Sequence, residues 1–262
     1  MSTSRTLAKS IAGAMALAFL AGPAAAGGLK DDPMPSDGRM LAWSASFAVT
    51  NDYIFRGFSQ NAGNPAAQGT LEVTYGLLYA NVFASNVDFG SPLDANYELT
   101  FAAGIRPVVG PVSFDLGVIY YTYPSANDSG TELDFLEIKA GASVSPWKDG
   151  TLGATVYYSP EYTGEVGDVW TFEGTIAQGF AKMGPFTPTF SATLGYVSGE
   201  SGAFIISDDY LYWNAGVTLA FHERFSLDLR YWDTDLSTGF CKTPGDVGAC
   251  DARFSATAKV TF

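Results

Sequence analysis

The chain has one histidine, His222, and two cysteines, Cys241 and Cys250, among 262 residues. A catalytic nucleophile needs a base beside it, and the lone histidine falls in Phe221-His222-Glu223-Arg224, a segment that reads as an exposed turn. No Gly-x-Ser-x-Gly elbow, metal cluster or phosphate-cradling loop is present. An enzyme, here a lipid hydrolase or acyltransferase, is therefore the remote reading, and no cofactor or metal is expected. Basic residues are also few, 14 Lys and Arg against 27 Asp and Glu, for a net charge of −13. That balance excludes a nucleic-acid partner, whose phosphates need a basic face. Beyond the N-terminal segment no stretch approaches the roughly 18 consecutive apolar residues of a membrane-spanning helix.

The N-terminal segment carries Arg5 and Lys9, an apolar run from Ile11 to Gly22, and the small-residue end Ala24-Ala25-Ala26. A basic start, a short apolar middle and a small-x-small end make a secretory signal peptide, assigned to residues 1–26. The run is too short for the roughly 20 residues of a spanning helix. Residues 27–40 are polar and rich in Gly, Pro and Asp, and read as a disordered periplasmic tail. In an exported chain the close pair Cys241 and Cys250 reads first as a disulfide pinning one loop. The alternative, a zinc site, lacks the remaining ligands.

From residue 41 to 262 the dominant pattern has period two. Phe254, Ala256, Ala258, Val260 and Phe262 alternate with Ser255, Thr257, Lys259 and Thr261. Trp43, Phe47 and Val49 alternate with Ser44, Ser46 and Ala48, and Tyr97, Leu99, Phe101 and Ile105 with Glu98, Thr100 and Gly104. Similar segments bring the expectation to twelve strands. A secreted β-sandwich would alternate too, but the polar face here is mostly Ser, Thr, Gly and Asn, which suits a wetted lumen. Long and short connections also alternate, the first long one running from Asn51 through Gln68. Outer-membrane barrels have that arrangement. Aromatic residues gather near segment ends: Tyr120, Tyr121, Tyr123, Tyr158, Tyr162, Trp170, Tyr196, Tyr210, Tyr231 and Trp232 toward the long loops. Trp147, Phe186, Phe221, Phe225 and Phe262 lie toward the short turns. They are expected to form two interfacial girdles. The fold class is thus all-β, a closed antiparallel transmembrane β-barrel, in the cell outer membrane.

The first strand and its loop contain Asp52, Tyr53, Arg56, Gly57, Ser59 and Gln60 in an Asp-Tyr-x-x-Arg-Gly-x-Ser-Gln segment. That segment resembles the marker of the TorF family, an outer-membrane group assigned as porins and largely of unknown function. The resemblance implies an outer-membrane barrel and supplies neither substrate nor catalytic set. The final strand, ending on Phe262, resembles the signal read by the outer-membrane barrel assembly machinery. Arg56 offers a rigid five-donor fork and Gly57 a turn. Two roles stay open: folding the loop inward as a constriction by pairing with acids such as Glu72 or Glu98, or anchoring it to a neighbouring strand.

Strand parity points Glu72, Glu98, Asp115, Glu137, Glu173 and Asp228 into the lumen together with Arg106, Lys139, Arg230 and Lys259. The loops are more acidic still, with Asp88, Asp94, Asp128, Glu132, Glu200, Asp208 and Asp209 among them. An acidic mouth concentrates cations. The expectation is a porin-like channel for passive diffusion of small hydrophilic solutes, preferring cations. The alternative is a non-conducting structural or binding barrel whose acidic loops hold divalent cations against lipopolysaccharide. Expected partners are outer-membrane lipid and lipopolysaccharide, the assembly machinery, and small solutes.

Overall fold

The computed structural model describes residues 40–127, 132–199, 209–237, 241, 246 and 248–262. The assigned signal peptide, the tail up to Arg39, and loop acids Asp128, Glu200 and Asp208 lie outside the described residues. Fifteen strands are present: β1 (Leu41–Thr50), β2 (Ile54–Phe55), β3 (Phe58–Ser59), β4 (Ala66–Tyr75) and β5 (Leu78–Asn86). These are followed by β6 (Tyr97–Ile105), β7 (Val108–Val109), β8 (Val112–Thr122), β9 (Phe135–Val144) and β10 (Gly150–Ser159). The last five are β11 (Val169–Gly179), β12 (Phe186–Gly199), β13 (Tyr210–Phe221), β14 (Phe225–Thr234) and β15 (Arg253–Thr261).

Twelve of these are the staves of a closed antiparallel barrel. Each pairs with its neighbour in sequence, β6 with β8 across the β7 extension, and β15 returns to β1 with Phe47 opposite Val260. Phe262 extends that seam, its backbone N–H donating to the Ala45 carbonyl at 2.8 Å. Closure leaves no unpaired edge in hydrocarbon. No helix occurs among the described residues.

The period-two pattern maps directly onto the wall. Trp43 (65% exposed), Phe47, Leu116, Phe172, Leu194, Leu229 and Phe254 (74%) point outward, a band of apolar side chains suited to lipid. Ser, Thr, Asn and the charged residues of the opposite parity point in. Short turns join β4 to β5 and β13 to β14; His222, at φ 48°, and Glu223, at φ 60°, form the latter.

Two expectations change. The first long connection ends earlier, since β4 starts at Ala66 and carries Gln68. More importantly, five of the aromatic residues assigned to the long-loop girdle are not at the lipid boundary. Tyr121, Tyr123, Tyr162, Tyr210 and Trp232 are buried inside the barrel, whereas Tyr120, Trp170 and Tyr196 are exposed outside. Parity decides this. Tyr121 shares the inward register of Asp115 and Gly117, and Trp232 that of Asp228 and Arg230.

The inward aromatics have something to pack against. An interior of about eight staves can be filled by side chains alone; twelve leave a wider space, and the first long loop enters it. There β2 and β3 form a small hairpin pairing Ile54 with Ser59 and Phe55 with Phe58. Tyr53, Ile54, Phe58 and Asn61 are all buried. Phe58 meets Tyr210 edge-on at 5.5 Å, Phe55 lies 5.8 Å from Tyr121, and Tyr121 stacks on Phe135 at 4.3 Å. The long-loop half of the lumen therefore has a hydrophobic core, and the short-turn half is polar.

Candidate functional site

The hairpin turn sets the geometry of the site. Arg56 and Gly57 are its two central residues and both have positive φ, 48° and 89°. Turns of that backbone suit the twist of a tight hairpin and favour Asn and Gly. Gly57 meets the requirement freely, and a Cβ there would also collide with Thr234. An arginine accepts the left-handed region only against strain of about 1–3 kcal/mol. Its side chain supplies the compensation.

The Arg56 guanidinium grips Glu137 of β9 with two parallel bonds, Nη1 to Oε1 at 2.7 Å and Nη2 to Oε2 at 2.9 Å. Both side chains are almost fully buried. Tyr121 donates to the same carboxylate at 3.1 Å, and the Tyr157 ring lies 4.9 Å from the guanidinium carbon. β9 stands five staves from β1 around the ring, so the loop is drawn inward across the lumen. The partner differs from the acids expected. Glu72 is taken by Arg106 at 2.7 and 3.0 Å, and Glu98 receives Thr100 at 2.7 Å and Tyr53 at 3.3 Å. Sequence separation gives no means of choosing among buried acids, because barrel position decides which one the loop reaches.

The other motif residues build and seat the same hairpin. Asp52 accepts from Ser59 Oγ at 2.6 Å and from Arg253 at 2.6 Å. Burial, and after it the Glu98 carboxylate, push the Tyr53 hydroxyl well above its usual range, so it remains a donor. Gln60 N–H closes onto the Tyr53 carbonyl at 2.7 Å. Ser59 N–H donates to the Ala249 carbonyl at 2.8 Å, joining the hairpin to the last long loop. That loop is closed by the Cys241–Cys250 disulfide, with both cysteines buried.

A second network occupies the short-turn half. Asp115 accepts from Lys139 at 2.8 Å, from Tyr79 at 2.8 Å and from Arg106 at 3.5 Å, while Arg106 lies over the Tyr79 ring. On the opposite wall Arg230 holds Asp228 at 3.0 Å, Asn214 at 2.6 Å and Ser191 at 2.8 Å. Lys259 is half-buried on the same wall, with Asp228 as its electrostatic partner. Glu173 stands apart from these ion pairs. It accepts from Tyr212 and, at 3.4 Å, from Tyr157. Tyr212 reaches it by crossing Gly195, where an added Cβ would fall on the tyrosine ring.

The ten charged residues read as inward fall into three groups, with Glu173 apart, rather than one ring. Missed by sequence reasoning were the Arg253–Asp52 pair and the tyrosines that donate to the buried carboxylates. Strand parity alone would have turned Tyr121, Tyr157 and Tyr212 inward. Among the described residues no group of three or more His, Cys, Asp or Glu side chains converges as a metal site.

A lipid-facing twelve-stave barrel with a charged interior defines a porin-like fold, and solved structures agree. The chain is similar to the KdgM porin, with a TM-score of 0.54 at 9% identity, covering 84% of this chain and 99% of that one. It is similar to the NanC porin with a TM-score of 0.51 at 12% identity and the same coverage. These likenesses concern the fold. By sequence the chain belongs to the Gcw_chp family, described as bacterial proteins of unknown function, matched over residues 38–262. The matched family is not described as TorF, a resemblance whose specific motif lies in the first third of the chain. Comparison with curated proteins finds no match.

Proposed function

We propose that the protein is an outer-membrane, porin-like channel passing small hydrophilic solutes by diffusion, with a preference for cations and with the first-loop hairpin as its constriction. The observation that carries this reading is the polar short-turn half of the lumen, walled by Glu72, Arg106, Asp115, Asp228 and Lys259 within a closed barrel. Side chains that serve only to fill a barrel need not be charged, and several here keep partial exposure. Likeness of fold to KdgM and NanC supports the same reading. Cation preference is supported by the long-loop end, where Asp88, Asp94, Glu132, Glu161, Glu165 and Asp209 are exposed. Such a mouth raises local cation concentration. Lipid and lipopolysaccharide would surround the wall, the assembly machinery would read the strand ending in Phe262, and no catalysis is assigned.

A second reading rests on the packing of the long-loop half. Tyr53, Tyr121, Tyr157 and Tyr212 are 2% exposed or less, the density of a sealed interior. That suits a non-conducting barrel whose acidic loops bind cations. Single-channel recording of the mature chain in planar bilayers, under asymmetric KCl, separates the two. Discrete steps with a reversal potential shifted toward potassium support the channel. A chloride-shifted potential removes the cation preference, and folded protein without steps leaves the second reading.

A further inference from the structure

The hairpin places a guanidinium group in a cage of acidic and aromatic side chains. Around Arg56 stand the Glu137 carboxylate, the Tyr157 ring and the Tyr121 hydroxyl. Glu173 lies within electrostatic reach of Arg56. Carboxylates combined with aromatic faces are the chemistry that binds organic cations. Buried charges are costly unless each is paired, and this cage has a half-buried carboxylate to spare: Glu173 has tyrosine donors and, among the described residues, no ion-pair partner.

A second observation points to an occupant other than Arg56. The hydroxyls of Thr155 and Thr171 are buried with no hydrogen-bond partner, as is Arg56 Nε. Thr155 lies opposite Glu173 in the β10–β11 register, and Thr171 shares its inward face on β11. Unpartnered buried polar atoms are rare and call for a polar guest. The two threonine hydroxyls beside an acid without an ion-pair partner outline more donor and acceptor capacity than one arginine uses.

We infer that the cage of Glu137, Glu173, Tyr121 and Tyr157 is a binding site for guanidinium-bearing solutes, and that Arg56 occupies it as a tethered stand-in. This deepens the channel reading by naming the class of cation the constriction would recognise. Withdrawal of the hairpin would free the Glu137 carboxylate, while Glu173 keeps its tyrosine donors. A free guanidinium solute could then take the fork geometry that Arg56 vacates, with the threonine hydroxyls available to the rest of it. A compact ammonium could satisfy only one carboxylate oxygen pair and lacks the planar face for Tyr157.

The test has two arms, neither of which needs conduction. In micelles, the full mature chain carrying Arg56→Gly keeps the turn, because glycine accepts the positive φ, and empties the cage. Millimolar methylguanidinium should raise its melting temperature, and tetramethylammonium should not. If the variant does not fold alone, the folded yield with each cation is read instead. Adding Glu137→Gln should abolish the effect. In the wild-type chain, hydrogen exchange at the Ser59 and Gln60 amides should accelerate several-fold with arginine and not with its uncharged analogue citrulline. A tethered group competes at an effective concentration on the order of millimolar, so arginine is titrated well above that. Equal response to methylguanidinium and tetramethylammonium, an unchanged effect in the double variant, or equal exchange with arginine and citrulline would each overturn the site. Conduction without these effects would leave the channel and remove the site; the effects without conduction would do the reverse.

Discussion

Asp52 and Arg253 stand 201 positions apart in sequence and meet at 2.6 Å, joining the start of the first long loop to the first residue of the last stave. Arg253 also reaches Asp246 at 3.8 Å and donates to the Gly248 carbonyl. One side chain thereby ties the hairpin, the disulfide-bridged loop and the closing strand together. Arg253→Ala leaves the buried Asp52 carboxylate with only Ser59, and should cost about 3 kcal/mol, the lower end for breaking a buried pair. Urea unfolding of the barrel in micelles would measure it, and a change below 1 kcal/mol, roughly a surface pair's worth, would show the tie to be incidental.

Tyr53→Phe removes one of the two side-chain donors to Glu98 and keeps the ring that packs edge-on against Phe83. The expected loss is about 1–3 kcal/mol, the penalty for an under-satisfied buried acceptor. Glu98→Gln added to Tyr53→Phe should recover part of it, since a neutral amide needs less compensation. A double-mutant cycle by urea unfolding gives the sign; strictly additive losses would remove the proposed link.

The short disulfide loop should matter through its anchor. Replacing Cys241 and Cys250 with serine releases a loop with a sequence separation of 9, worth about 2.5 kcal/mol on the chain-entropy view. Exchange at the Ser59 amide, bonded to the Ala249 carbonyl, should quicken well before exchange at strand amides such as that of Val217. If all amides respond alike, the loop acts on the whole barrel and not on the hairpin.

Gly195→Val tests the tyrosine that crosses it. The new side chain would displace the Tyr212 ring and break its bond to Glu173. A loss of about 2 kcal/mol or more is expected, in the range for forced overpacking. Tyr212→Phe should lose less, because it keeps the ring and gives up only the hydroxyl. The reverse order in melting temperature would place the cost elsewhere.

Much of this architecture was legible in the sequence, because a strand in a barrel wall has two faces in two solvents. Phe254 and Lys259, opposite in parity, go to lipid and lumen as the alternation requires. The same rule applied to Tyr121 or Trp232 would have turned them inward; proximity to a strand end is the weaker signal, since a girdle position needs outward parity too. The hairpin was less legible. Its strands are two residues each, too short to show a period, and its stability comes from Glu137, Ala249 and Arg253, which only the closed ring brings near. The Arg56-Gly57 pair signalled a turn and an ion-pair donor, but not the receiving stave.

That dependence on distant partners has a consequence for biogenesis. The hairpin lies near the start of the folded chain, while its anchors come from the middle and the very end. Contacts so far apart in sequence form late and slowly. Until β15 meets β1, Arg253 is not in place beside Asp52 and the Ala249 carbonyl is not held beneath Ser59. The segment made first is thus the last to find its seat. Complete seating of the hairpin is in effect a certificate of completion: a barrel still open at its seam, or truncated before its final stave, would lack the Arg253 and Ala249 anchors and hold the loop by its contacts to the middle staves alone.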